Sequence, residues 1–169
     1  MICFANHLHI SIFDAVMYHL YIMTGSIVEL LDEHYGLTGE LSRLSGENEN
    51  YLVSKADGTR LVLKIRGDAE RSILQLEDQA AEALHSAEPD LGVPVTVSNR
   101  NGEAISPTAD GRLARVIEFV SGAAWREFDK HGTAVCRDFG RMLARMGHAL
   151  AAVENPAAAR VVVEGVVLG

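Results

Sequence analysis

The chain has 169 residues, 48% of them hydrophobic and 22% charged, which excludes a disordered chain and allows one ordinary core but not a large two-lobed enzyme. A formal net charge of −8 excludes a broad nucleic-acid or anionic-membrane surface, because both need clustered Lys and Arg, so an anionic ligand must be met locally. Cys3 and Cys136 lie far apart and give neither a metal spacing nor a disulfide framework, and the expected setting is reducing and cytoplasmic.

Residues 1–25 read as an extra apolar segment rich in Ile, Leu, Phe and Met. It holds no Lys or Arg and includes Asp14, His7, His9 and His19, so it has neither a signal n-region nor an uninterrupted membrane span. His7 and His9 lack an accompanying carboxylate pattern and read as structural rather than metal-binding. Met1 and Met23 both stand open as the start. Ser26 and Glu29, at capping-box spacing, open a helix over 26–34 with Ile27, Leu30 and Leu31 on one face and Gly36 as its stop.

Strands are expected at 40–45, 49–56 and 60–66. Asp57-Gly58, between Asn50 to Val53 and Leu61 to Ile65, is the strongest hairpin signal in the chain. Alternation puts Leu61, Leu63 and Ile65 on one face and Val62 and Lys64 on the other. A lysine flanked by aliphatic residues on its own face is either a snorkelling side chain or a working one. A helix over 68–87 follows, with Ile73, Leu76, Ala80, Ala83 and Leu84 at helical spacing. Strands at 93–97 and 113–119 flank a turn at Asn99-Arg100-Asn101-Gly102, and 121–130 reads as a linker. A last helix over 131–153 lines up Val135, Phe139, Leu143, Met146, Leu150 and Val153; uncovered, that face predicts self-association.

One ordered set of segments goes further: His34-Tyr35-Gly36-Leu37, Leu44 through Val53, Leu63-Lys64-Ile65, Leu91-Gly92-Val93-Pro94 and Ala114 through Gly122. Together they resemble the aminoglycoside phosphotransferase and choline-kinase-like family of small-molecule kinases, hydroxylysine-kinase-like members above all, over residues 26–160. The resemblance implies an α+β fold: a protein-kinase-like N-terminal lobe with an antiparallel sheet of about five strands and one packed helix, then a linker and one long helix, the large C-terminal lobe missing. The expected divisions are the extra segment 1–25, the nucleotide-binding lobe 26–120, the hinge and start of the second lobe 121–160, and an unrelated tail 161–169.

The same resemblance assigns ATP as the cofactor, with magnesium in the complete fold. Lys64 would hold the α- and β-phosphates, with Glu77 from the helix beside it and Glu70 or Glu82 as alternatives. Ser45 and Asn48 would lie in the loop over the phosphates, Val62 would pack on the base, and the backbone of Glu118 and Val120 would grip adenine. The family's reaction is phosphoryl transfer from a nucleoside triphosphate to a hydroxyl of an amino-alcohol-type acceptor. Its H-x-D-x-x-x-x-N-like loop and magnesium-holding aspartate have no match, since no aspartate follows Asp138. Val161 through Gly169 reads as an unrelated ending, as a frameshift or premature stop would give. The chain alone is therefore expected to be inactive, with a non-catalytic nucleotide-binding or interaction module as the alternative. No G-x-S-x-G, H-E-x-x-H or CxxC pattern supports a hydrolase or a zinc site.

Overall fold

The computed structural model describes residues 26–46, 48–67, 71–122 and 132–154. Helix α1 occupies 26–35, residue 26 being already helical, and its last turn Leu31–Tyr35 widens to π-type bonding. Gly36 ends it in the left-handed conformation, φ +64°, and its N–H returns to Asp32 O at 2.9 Å. Then come β1 (Glu40–Leu44), β2 (Glu49–Ser54), β3 (Arg60–Arg66), helix α2 (Arg71–Ala87), a 3₁₀ turn at Pro89–Leu91, β4 (Thr96–Val97), β5 (Ser106–Pro107), β6 (Leu113–Glu118) and helix α3 (Thr133–Leu150).

All strand pairings are antiparallel, in the order β1-β2-β3-β6-β4, with β5 also on β6. The β2–β3 hairpin closes at Lys55 to Thr59: Gly58 N–H donates to Lys55 O at 3.0 Å, and Thr59 N–H to Asp57 Oδ1 at 2.9 Å. Gly58 takes φ +85°, a conformation that costs glycine little.

Period-2 alternation sorts β3 cleanly. Leu61, Leu63 and Ile65 are buried, and with Val53, Ala114 and Val116 they receive Ile27, Leu30, Leu31 and Tyr35 of α1. The opposite face carries Val62, Lys64, Arg66, Arg115 and Ile117, and α2 is tied to it by Glu77 and Asp78. The α+β expectation therefore holds, with two differences. The strand expected at 93–97 shrinks to two residues, because 89–92 coils into a 3₁₀ turn with Gly92 at φ +61° and Pro94 offers no N–H. Ser106–Pro107 forms an unforeseen sixth strand beside β6.

Helix α3 packs beside α2, and its Arg145 pairs with Glu88 just beyond the end of α2, yet none of its residues is buried. No helix among the described residues is long and apolar enough to cross a membrane. The expectations for 1–25, Met23, the early histidines, Cys3, Glu70, most of the 121–130 linker and the 161–169 tail fall outside the described residues.

Candidate functional site

The β2–β3–β6 ladder sets a row of three side chains across one face: Asn50, Lys64 and Arg115, each directly opposite the next. Cross-strand neighbours of like charge repel unless counter-charge is supplied. Helix α2 supplies it. Glu77 accepts from Arg66 Nη1 at 3.1 Å and pairs with Arg115, while Asp78 accepts from Arg115 Nη1 at 3.0 Å and from Thr96 Oγ1.

The contact expected between Lys64 and Glu77 is not made: the glutamate is spent on the two arginines, and Lys64 has no ion pair among the described residues. The reason is geometric. Arg115 stands opposite Lys64 and its planar fork reaches two adjacent carboxylates at once, which an ammonium cannot do. Lys64 is held below the ordinary lysine range by burial first and by Arg115 next, Arg66 adding to it and Glu77 offsetting it in part.

Val62 lies on the same face two residues nearer the start of β3, opposite Ile117, so an apolar pair separates Lys64 from the end of β6. There the chain leaves the sheet: Glu118 N–H donates to Val95 O at 3.0 Å and Phe119 N–H to Arg60 O at 3.2 Å. Arg60 stacks 4.2 Å from the Phe119 ring centroid and donates to Ser121 Oγ at 2.8 Å, which fixes the exit path. Val120 is 50% exposed and makes no hydrogen bond among the described residues.

Ser45 and Asn48 sit in the β1–β2 turn, and Glu47 lies outside the described residues. Asn48 O accepts from Asn50 Nδ2 at 3.1 Å, which ties that turn to the residue facing Lys64. Glu82 lines a groove of about 360 Å³ with Asp78, His85 and Thr96.

The structure thus brings Lys64, Glu77, Val62 and the end of β6 onto one face, joined to the β1–β2 turn through Asn50. Sequence reasoning passed over Arg66 and Arg115 as functional residues and took Asn50 only as the end of the Ser45 to Asn50 loop. Their signal was parity: two cations and an amide fall on the Lys64 side of strands otherwise rich in aliphatic residues. Among the described residues, no group of three or more His, Cys, Asp or Glu side chains could hold a metal ion.

A model of the phosphotransferase enzyme family (APH) matches residues 40–161. Among solved structures, the chain is similar to an amicoumacin kinase, hAmiN, in complex with AMP-PNP, Ca2+ and Ami, with a TM-score of 0.65 and 15% identity over 82% of this chain and 44% of that one. It is also similar to a microcompartment-associated aminopropanol kinase, with a TM-score of 0.60 and 22% identity over 80% of this chain and 42% of that one. The chain spans less than half the length of these structures. No curated protein matches it in sequence.

Proposed function

Since the chain belongs to the phosphotransferase enzyme family, we propose that residues 26–120 form the nucleotide-binding lobe of an ATP-dependent small-molecule kinase. The observation that carries this is the spacing along β3. From Leu61, opposite Glu118, to Lys64 is three residues, about 10 Å of strand. That separates a base held at the Val62–Ile117 floor and the Glu118–Val120 backbone from phosphates at Lys64, with room for the sugar between.

An anion suits the residues present. On the Lys64 face, three cations, Lys64, Arg66 and Arg115, meet two carboxylates, Glu77 and Asp78, so one positive charge is left over, and it belongs to the group without an ion pair. Ser45 and Asn48 offer further polar contacts from the β1–β2 turn. Magnesium bound to the nucleotide would neutralise phosphate charge, and among the described residues no cluster of ligands could hold it.

In the family reaction the acceptor is a hydroxyl of an amino-alcohol-type molecule. The 169 residues contain no aspartate after Asp138 to orient such a hydroxyl, so we read the chain by itself as binding nucleotide without transferring phosphate. The setting we assign is cytoplasmic. The exposed α3 stripe is, in this reading, where copies of the chain associate.

Titration of the chain with ATP and magnesium, followed by calorimetry and backbone NMR, tests the reading. One open cleft wall predicts a Kd of about 1 mM, roughly −4 kcal/mol. Shifts should cluster at Val62, Lys64 and Val120 and vanish in Lys64→Ala. Shifts confined to other faces, or unchanged by that substitution, overturn it.

A further inference from the structure

Arg115 lies in mid-strand on β6, its side chain 9% exposed, and it is the most buried charge on the α2 side of the sheet among the residues given an ion pair. A guanidinium placed there must be paired, and both of its partners come from one turn of α2: Glu77 and Asp78 are adjacent in sequence and each takes one Nη group. Thr96 of β4 donates to Asp78 Oδ1 as well, and Arg66 of β3 holds the other oxygen of Glu77. Three strands are thereby laced to one helical turn. Lys64 stands in the middle of this lacing without joining it.

We propose that Arg115 is a positioning residue for Lys64: by engaging Glu77 and Asp78 it withholds Glu77 from Lys64, leaving the ammonium to be neutralised by a bound anion. Arg115 touches no ligand in this scheme; it acts through Glu77. The proposal rests on the reading of Lys64 as a phosphate-binding residue, but its central claim concerns which group holds Glu77.

The charges facing Lys64 are Arg66 from β3, Arg115 from β6, and Glu77 and Asp78 from α2; β2 presents the neutral Asn50. Remove Arg115 and two things change together. Lys64 loses its repulsive neighbour, and Glu77, held then by Arg66 alone, can turn toward it. Both changes stabilise the protonated lysine and cap it with a carboxylate that competes with any incoming anion. Neutralise Glu77 instead and the opposite follows: two arginines lose their shared counter-charge beside Lys64, and the site becomes more attractive to anions. The two substitutions therefore push Lys64 in opposite directions, whereas residues that only hold α2 in place would act in the same direction.

The test uses the whole chain, with inorganic tripolyphosphate as the anion and the Lys64 side chain followed by NMR titration. Arg115→Met is expected to raise the Lys64 titration midpoint and weaken tripolyphosphate about tenfold, the size of one charge-assisted contact. Glu77→Gln is expected to lower the midpoint and tighten tripolyphosphate binding. The double variant should recover most of the binding lost in Arg115→Met. If Arg115→Met does not fold, Arg115→Lys serves, because one ammonium cannot hold both carboxylates; it should move the midpoint upward in the same sense. A midpoint unmoved by either Arg115 substitution in a folded protein, or moved in the same direction by Glu77→Gln, overturns the proposal. If tripolyphosphate fails to bind the unsubstituted chain, the phosphate reading of Lys64 falls, while the midpoints still decide who holds Glu77.

Discussion

Asn99 Nδ2 donates to Ser106 Oγ at 3.0 Å, joining two buried side chains, one at the end of the β4 segment and one in β5. Asn99 Oδ1 in turn accepts the N–H groups of Asn101 and Glu103, each at 2.9 Å, which adds to the two backbone bonds, Asn99 N–H to Glu103 O and Gly102 N–H to Asn99 O, that close the 99–103 turn. Asn99→Ala removes three hydrogen bonds and leaves the N–H groups of Asn101 and Glu103 without that acceptor, while the fully buried Ser106 hydroxyl keeps its bond with Tyr35. Each lost hydrogen bond costs ~1 kcal/mol, and a total loss of about 3 kcal/mol is expected. Urea unfolding should show a lower midpoint at unchanged slope, since the surface exposed on unfolding stays the same.

Gly36 offers a contrast in which backbone conformation outweighs crowding. Its φ of +64° disfavours any residue with a Cβ, and an added Cβ would also sit 2.9 Å from Arg100 Nη2. That guanidinium is the exposed end of a flexible side chain donating to Asp32 O, and it can move away. The left-handed conformation cannot. Gly36→Ala should cost about 1–2 kcal/mol, and Gly36→Asn clearly less, because asparagine tolerates that region. Equal losses in thermal melts for the two variants would contradict this.

Glu49 gives the fold a dependence on acid. Burial raises its carboxyl, but the hydrogen bond from Tyr51 and the pairing with Arg112 outweigh it and hold the carboxyl below its ordinary value of 4.5. A depressed folded-state value means that the stabilisation is present above 4.5 and is lost as the pH falls through the lower folded value. The partner Tyr51 is pushed up to about 12 by burial and by the adjacent carboxylate, so its contribution is lost as the pH rises from 10 toward 12. Glu49→Gln should narrow the stability difference between pH 7 and pH 3 measured by thermal unfolding. A variant that loses as much stability as the unsubstituted chain over that range would show that Glu49 is not responsible.

The parts of the fold that could be read in the sequence are those where one local rule governs. Asp57-Gly58 and the alternation from Leu61 to Ile65 gave the hairpin and both of its faces, and Gly36 gave the end of α1. What escaped depended on partners distant in sequence. Ser106–Pro107 is too short and too polar to announce a strand, and it pairs only because Ala114 and Leu113 lie alongside. Arg115 was visible as part of a motif, but its hold on Glu77 and Asp78 spans more than thirty residues and follows from the β3–β6 register. The placement of Lys64 was legible because it is a property of one strand; its lack of a carboxylate was not, because it is a property of three elements together.

Val135, Phe139 and Leu143 are 48%, 42% and 50% exposed, and they fall at successive fourth positions along α3. Roughly half of each side chain already lies against the protein, so covering the remainder gains about 1 kcal/mol apiece. That is enough for weak association and too little for a tight dimer. Light scattering should show a mean mass that rises with concentration and falls to the monomer value in the Val135→Ser, Phe139→Gln, Leu143→Gln variant. The same substitutions remove the half of each side chain that lies against the protein, so thermal stability should fall by about 1 kcal/mol per substitution with the chain still folded. A triple variant that still associates would place the contact surface elsewhere. One that unfolds would mean that the stripe is packed against the chain more closely than these exposures show.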